Sequence, residues 1–199
     1  MRCEYCEKDP IYRCSVCGKL LCAEHLKFGT LCPSHVKKSK LAYTVCRVTS
    51  EEDRSIIRNL VKRFWGEAEQ LTFDIEYAVG ELPTYVAKLD NRIIGFASFA
   101  ETSDAVIVVA LGVLPQNQCS GVGGRLIGKV EDEANRLGKM KMLVSTSNDD
   151  LPALAFYQSC GFQIYEVKPN VIAEKHGAIL QGIGGLPVRD ELRLQKAIN

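Results

Sequence analysis

Several things are scarce in this chain of 199 residues, and each scarcity excludes something. No apolar run reaches the roughly 18 residues that span a bilayer, and the first residues hold no apolar signal-peptide core. A cytoplasmic protein with no membrane partner is therefore expected. Net charge is nearly absent: 25 Lys and Arg against 24 Asp and Glu leave +1, too little for a chain-wide nucleic-acid footprint. Of only three histidines, His25 and His35 stand in a cysteine-rich stretch, so His176 alone is left elsewhere for proton chemistry. What remains, 46% hydrophobic and 25% charged residues, suits a globular core of about 150 residues with a small appendage.

Cysteine is plentiful but uneven, since six of the nine fall within the first 32 residues. They form pairs with two histidines: Cys3 and Cys6, Cys14 and Cys17, Cys22 and His25, Cys32 and His35. Each pair is separated by two residues and can grip one metal from a tight turn, so four pairs imply two tetrahedral zinc ions with closed shells. Closed shells leave no position for a substrate water, which makes the expected role structural. Clustered thiols used in redox chemistry or as disulfides are the competing reading. Interleaved pairing would put Cys3, Cys6, Cys22 and His25 on one ion and Cys14, Cys17, Cys32 and His35 on the other. Sequential pairing would instead leave two beads with almost nothing to bury. The interleaved pattern resembles B-box and related cross-brace zinc fingers, and that resemblance implies protein contacts rather than nucleic acid.

Residues 1–40 hold eight basic and four acidic side chains. With six thiolates and two Zn²⁺ included, the segment carries about +2, a weak footprint even with Lys37, Lys38 and Lys40 close together. From Leu41 the balance changes to 17 basic against 20 acidic residues, and a second domain, 41–199, is expected to begin. A strand is predicted over Leu41 to Val48. Thr49 and Glu52 form a capping box ahead of a helix with an apolar stripe from Ile56 to Trp65. Glu67 to Tyr77 reads as a shorter second helix, although Thr72, Phe73 and Ile75 also suit a strand. Thr84 to Leu89 and Arg92 to Ala100 form a hairpin about Asp90-Asn91, residues that tolerate positive φ, and Ala105 to Leu114 is a strand covered on both faces.

After that strand comes Gln118-Cys119-Ser120-Gly121-Val122-Gly123-Gly124, then a helix with Leu126, Ile127, Val130, Ala134 and Leu137 on one face and Gly138 as its cap. Glycines at a strand-to-helix turn expose unpaired N–H groups to an anion, though an ordinary capped turn has the same pattern. The Walker lysine is missing, as is the full dinucleotide fingerprint. Gln118, Gly121 and Gly123, with Pro115 ahead, resemble motif A of the GNAT acetyltransferases, whose loop holds the pyrophosphate of acetyl-CoA. Beyond a strand over Lys141 to Ser147, the stretch Asn148 to Phe162 opens with capping residues and closes with Gly161. It resembles motif B of the same family. A strand over Phe162 to Val167 and an alternating strand at the end of the tail complete the pattern, and the tail resembles a prokaryotic subgroup of the family.

The resemblance, over about residues 41–197, implies an α+β GNAT fold: a mixed, mostly antiparallel sheet flanked by helices, here preceded by a small two-zinc finger domain. It implies transfer of an acetyl group from acetyl-CoA to an amine acceptor. Leu111, Gly112 and Val113 would offer backbone N–H groups to the cosubstrate, Gln118, Gly121, Val122, Gly123 and Gly124 would cradle its pyrophosphate, and Asn148 would contact its arm or cap the helix. Tyr157 would be the general acid that protonates the departing thiolate, with a plain core tyrosine as the alternative. For the base, Glu101, Asp104, Glu76 or a bound water each qualify. Cys46, Cys119 and Cys160 read as free thiols without a role. The finger would recruit a protein partner or the acceptor. A binding protein without turnover, or a finger that touches nucleic acid, are the alternatives.

Overall fold

The computed structural model describes residues 2–14, 17–26, 31–34 and 42–198. His35, Lys37, Lys38, Lys40 and Leu41 lie outside them. The cysteine-rich stretch is built on turns: Cys6 N–H donates to the Cys3 carbonyl at 3.3 Å, Gly18 N–H to Cys14 at 2.9 Å and His25 N–H to Cys22 at 3.1 Å. The Cys3–Cys6 and Cys22–His25 turns bring their side chains to one group, and the Cys14–Cys17 turn brings its pair to a second. Strands β1 (Tyr12–Arg13) and β2 (Leu20–Leu21) form a minimal hairpin, and Cys14, Leu21 and Cys32 are buried with Tyr5 and Leu26 against them.

The rest is organised by one seven-stranded sheet. Strand β3 (Thr44–Arg47) leads into α1 (Glu51–Trp65). The helix starts one residue later than a Thr49–Glu52 box would place it: the Ser50 hydroxyl accepts from Asp53 N–H at 3.2 Å. Gly66 ends it in the left-handed region at φ 82°, where glycine has no Cβ penalty.

The expected helix over Glu67 to Tyr77 is a hairpin instead, β4 (Glu69–Thr72) and β5 (Ile75–Ala78), turning at Phe73 and Asp74 with φ of 53° and 62°. A distant group holds that turn, because the Phe73 N–H donates to the Glu191 carboxylate at 3.1 Å. Local sequence carries no trace of that bond.

Strands β6 (Thr84–Leu89) and β7 (Arg92–Glu101) turn at Asp90 and Asn91, both at positive φ as expected, and β8 (Ala105–Val113) follows. Beyond it come α2 (Val122–Arg136), β9 (Lys141–Ser147), α3 (Leu151–Ser159), β10 (Gln163–Lys168) and α4 (Val171–His176). A small hairpin of β11 (Leu180–Gln181) and β12 (Pro187–Val188) precedes β13 (Glu191–Ala197). The strand order is β10-β13-β9-β8-β7-β6-β3, and only β8 and β9 pair in parallel. The tail strand thus inserts between β9 and β10.

Side-chain alternation sends neighbouring residues to opposite faces. Val86 and Phe96 meet Ile57 and Val61 of α1 on one face, while Ala87 and Ala97 meet Leu126, Ile127 and Val130 of α2 on the other. Gly112 is where a large ring needs room: any Cβ there would stand 2.8 Å from both Phe64 and Phe96. Among the described residues no helix is long and apolar enough to cross a membrane.

Candidate active site

The site begins with one extra residue. In the ladder between β7 and β8, Ser98 faces Ala110 but Phe99 faces Val108, so Val109 is a bulge. A bulge bends its strand and interrupts pairing. Accordingly β8 pairs with β9 only from Ala105–Val108 against Lys141–Val144, and beyond Val108 the two strands part. Ser145, Thr146 and Ser147 of β9 keep only β13 as a neighbour. The edge of β8 from Val109 to Val113 is thereby left open toward the gap.

Below the gap lies the glycine turn. Leu114 leads into a single tight turn, Pro115–Asn117, and the Gln118 side-chain amide donates back to the Val113 carbonyl at 3.1 Å. Cys119 (φ 58°) and Gly121 (φ 84°) are both left-handed, and Ser120 donates to the Asn117 carbonyl. Gly121 is thus a conformational requirement. Gly123 has another reason, because a Cβ there would press on the Phe156 ring at 3.1 Å, so it permits packing of α2 on α3. Gly124 faces open space. Room for a close approach is therefore open at Gly121 and Gly124 and filled by the Phe156 ring at Gly123.

A cavity of about 430 Å³ runs from this turn along α3. It brings together Leu111, Val113, Gln118, Gly121, Gly123, Gly124 and Tyr157, all singled out in the sequence. Gly112 and Val122 do not line it: Gly112 faces the rings of the α1 side, and the Val122 side chain is core. Cys119 and Cys160 line it as well, and burial raises the Cys160 thiol. A second cavity of about 260 Å³ opens on the other side of the gap, walled by β9, the β4 strand and α4, with Glu67, Lys175, His176 and Glu191 among its lining. The two share Leu111, Asp150, Ala153 and Tyr157.

Tyr157 is 7% exposed and sits edge-on to Phe156 and Phe162 at centroid distances of 5.4 and 5.9 Å. Burial pushes its phenol above the ordinary range, and the nearby Asp150 and Cys160 add to that. Asp150 caps α3, accepting from Ala153 N–H at 3.0 Å. Burial raises its carboxyl too, with the adjacent Asp149 adding to it against the opposing Ala153 bond.

Other expected residues are elsewhere. Asn148 lines neither cavity and does not cap α3. Its amide donates to the Pro187 carbonyl at 2.8 Å and accepts from Arg189 and Asp190 N–H at 3.0 Å each, which ties down the tail. Asp150, two residues later, takes both the capping place and the place in the cleft. Glu101 and Asp104 flank the turn between β7 and β8, at the closed end of the sheet. Glu101 lies 3.7 Å from Lys139, and Asp104 lies 3.1 Å from Lys141, whose bond lowers its carboxyl. Glu76 is exposed on β5 and lines neither cavity. His176, expected on the surface, is exposed at the rim of the second cavity.

Residues that sequence reasoning missed are Asp150, Lys175 and Glu191. Glu191 is 4% exposed and fully engaged: one oxygen accepts from Phe73 N–H and the Thr72 hydroxyl, the other from Arg193 Nε at 2.9 Å. Lys175 meets Glu67 at 2.6 Å. Only the aspartate run ahead of Leu151 could have drawn attention to Asp150 from the sequence.

In the N-terminal stretch, the Sγ atoms of Cys3, Cys6 and Cys22 and a ring nitrogen of His25 lie within 4.8 Å of one another, as do the Sγ atoms of Cys14, Cys17 and Cys32. Individual separations are 3.7 Å for Cys6–Cys22, 3.9 Å for Cys17–Cys32 and 3.3 Å for Cys22 Sγ to His25 Nδ1. Two thiolates at the corners of a tetrahedron around zinc, with bonds of about 2.3 Å, stand about 3.8 Å apart. Disulfide sulfurs stand about 2.05 Å apart. The four donors of the first group fit a tetrahedral ion, and the second group shows three such donors among the described residues.

Comparison with known proteins agrees with this architecture. Residues 54–162 match the model of the Acetyltransferase (GNAT) family. An uncharacterized protein of Bacillus subtilis, YxbD, is 26% identical over 155 residues, 75% of this chain and 96% of its own. The L-methionine sulfoximine/L-methionine sulfone acetyltransferase of Salmonella typhimurium is 27% identical over 112 residues, 54% of this chain and 61% of its own. A GNAT family acetyltransferase from Elizabethkingia anophelis, solved with acetyl-CoA bound, shares the fold with a TM-score of 0.61 at 20% identity, covering 78% of this chain and 97% of that one. With more than half its length matched by the family model, the chain belongs to the GNAT acetyltransferase family.

Proposed function

We propose that the protein transfers an acetyl group from acetyl-CoA to an amine, and that its first 40 residues hold two structural zinc ions and recruit a partner or the acceptor. The observation that carries the first part is the cleft: two cavities, one on the glycine turn and one beyond the strand gap, meet at Tyr157. Acetyl-CoA supplies a thioester carbonyl, and a related fold is known with that molecule bound. The N-terminal amides of α2 and the open side of Gly124 suit an anionic pyrophosphate. The unpaired edge of β8 suits an extended amide chain laid along it as an added strand.

Tyr157 would act as the acid. Its raised phenol stays protonated through the physiological range, so it donates a hydrogen to a sulfur that becomes negative as its bond to carbon breaks. The Salmonella relative acts on an amino-acid analogue, which is consistent with an amine acceptor. For the N-terminal part, Cys3, Cys6, Cys22 and His25 would hold one ion. Cys14, Cys17 and Cys32 would hold the other, with His35 as the fourth ligand expected from the sequence.

Thiol release from acetyl-CoA in the presence of α-amino acids, polyamines and lysine peptides tests the reading. Amine-dependent turnover is expected. Tight acetyl-CoA binding with no turnover on any amine would make the protein a binding module. Within an active enzyme, Tyr157→Phe keeps the ring and removes the hydroxyl, so kcat should fall about 10²-fold or more while acetyl-CoA affinity barely moves. A near-normal kcat where chemistry limits turnover would remove Tyr157 from the acid role.

A further inference from the structure

Any reaction that joins a ligand of one cavity to a ligand of the other takes place against the four residues common to both: Leu111, Asp150, Ala153 and Tyr157. Leu111 and Ala153 have no side-chain proton to exchange. From this juxtaposition we infer that Asp150 is the general base of the transfer, the carboxylate that takes the proton of the attacking amine at the junction it shares with Tyr157. The inference rests on the acetyltransferase reading and deepens it by naming the base.

The other carboxylates of the second cavity are occupied. Glu67 holds Lys175, and Glu191 spends both oxygens on the β4–β5 turn and Arg193. In Asp150, Oδ1 accepts from Ala153 N–H, and among the described residues Oδ2 accepts no hydrogen bond. Asp150 lines both cavities. The titratable groups that line the two cavities with it are Tyr157 on α3, Cys160 just past the far end of that helix, Cys119 on the glycine turn, Glu191 on β13, Glu67 after α1, and Lys175 and His176 on α4. Asp149, beside it, is turned away, with its Oδ2 on Ile183 N–H at 2.9 Å. Burial raises the Asp150 carboxyl above its ordinary value, which makes it a stronger base, and burial likewise keeps the phenol protonated. One environment therefore suits an acceptor and a donor of protons side by side.

In the step, the amine nitrogen forms a bond to the thioester carbonyl carbon and its N–H proton passes to Asp150 Oδ2. The tetrahedral centre then collapses, the C–S bond breaks, and the sulfur takes the Tyr157 proton. Solvent returns the proton from Asp150 to the phenolate. Amine and thioester become amide and thiol, with no proton gained or lost.

Asp150→Asn tests this cleanly, because asparagine keeps an oxygen for the Ala153 N–H and caps a helix as well as aspartate does. With the full chain and the most active amine of the panel, kcat/KM should fall by about 10²- to 10⁴-fold. The acidic limb of its pH profile should vanish. Acetyl-CoA affinity by calorimetry should stay within about threefold of wild type, since a general base acts on the transition state. Infrared titration should show a carboxyl ionising above the usual range in wild type and missing from the variant. Asp150→Ser, also a good cap, serves as a second version should the asparagine disturb folding. Retention of kcat/KM within tenfold, an unchanged acidic limb, or a loss explained wholly by weaker acetyl-CoA binding would overturn the assignment. A wild type inactive on every amine would instead fail the acetyltransferase reading on which it depends.

Discussion

The two parts of this molecule differ in what they bury. In the family domain, buried side chains from α1 and α2 sandwich the sheet, with Phe96, Phe99, Leu126 and Val130 at zero exposure. In the N-terminal stretch the buried cluster is Cys14, Leu21 and Cys32, and two of those three are candidate ligands. An apolar core at about 25 cal/mol per Å² can offset chain entropy only when it is large. Among the described residues of that stretch so few are buried that, on the proposed zinc reading, metal bonds would have to supply the rest. With zinc bound as proposed, cysteine pairs in one region would answer the entropic cost that alternating aliphatics answer in the other.

The largest effect should come from attacking that difference directly. The purified, reduced protein should contain two zinc ions per chain. A strong chelator should abolish the native NMR signals of residues 1–40 while leaving those of 42–198 in place. Fewer than about one zinc per chain in metal-replete protein would break the paired-site assignment.

An intermediate effect should separate two adjacent glycines of the other region. Gly124→Leu enters open space and should weaken acetyl-CoA binding at least tenfold with little change in stability. Gly123→Leu drives a side chain into Phe156 and should cost about 1–3 kcal/mol of stability even without ligand. Denaturant midpoints and calorimetry on both variants distinguish the outcomes. Equal loss of stability in the two would mean that Gly124 is not a ligand-facing position.

The smallest effect concerns the sheet face that α2 covers. Glu133 is 5% exposed, and its carboxyl is held down at about 2, first by the Arg136 hydrogen bond, against an opposing burial contribution, with Arg47 adding to the lowering. A carboxyl depressed on folding contributes stability that is fully present above its unfolded value, about 4.5, and is lost as the pH falls through about 2. The stability gap between wild type and Glu133→Gln should therefore be widest near pH 7 and close between about pH 4.5 and pH 2. A gap independent of pH would assign the effect to packing.

What could be read from the sequence follows from how local its cause is. The Asp90-Asn91 turn, the strand Lys141–Ser147 and α3 depend on residues within a few positions, and each stands where expected. The β4–β5 hairpin was hidden because Glu191, far along the chain, holds its turn. Asn148, Asp149 and Asp150 all look like caps, and only the start of α3 at Leu151 decides that Asp150 is the one in the cleft. The gap itself rests on the bulge at Val109, one residue within a run of aliphatics that carries no distinguishing signal.

The position of β13 between β9 and β10 also has a consequence for biosynthesis. When Lys168 leaves the ribosome, β10 has no neighbour to join, because the strand that bridges it to β9 begins only at Glu191. At 5–20 residues per second, that strand arrives roughly one to five seconds later. The same strand brings the carboxylate that locks the β4–β5 turn over the second cavity. The nascent chain can thus assemble its glycine turn early but completes the wall of the second cavity last, so a prematurely terminated product would carry one half of the cleft without the other.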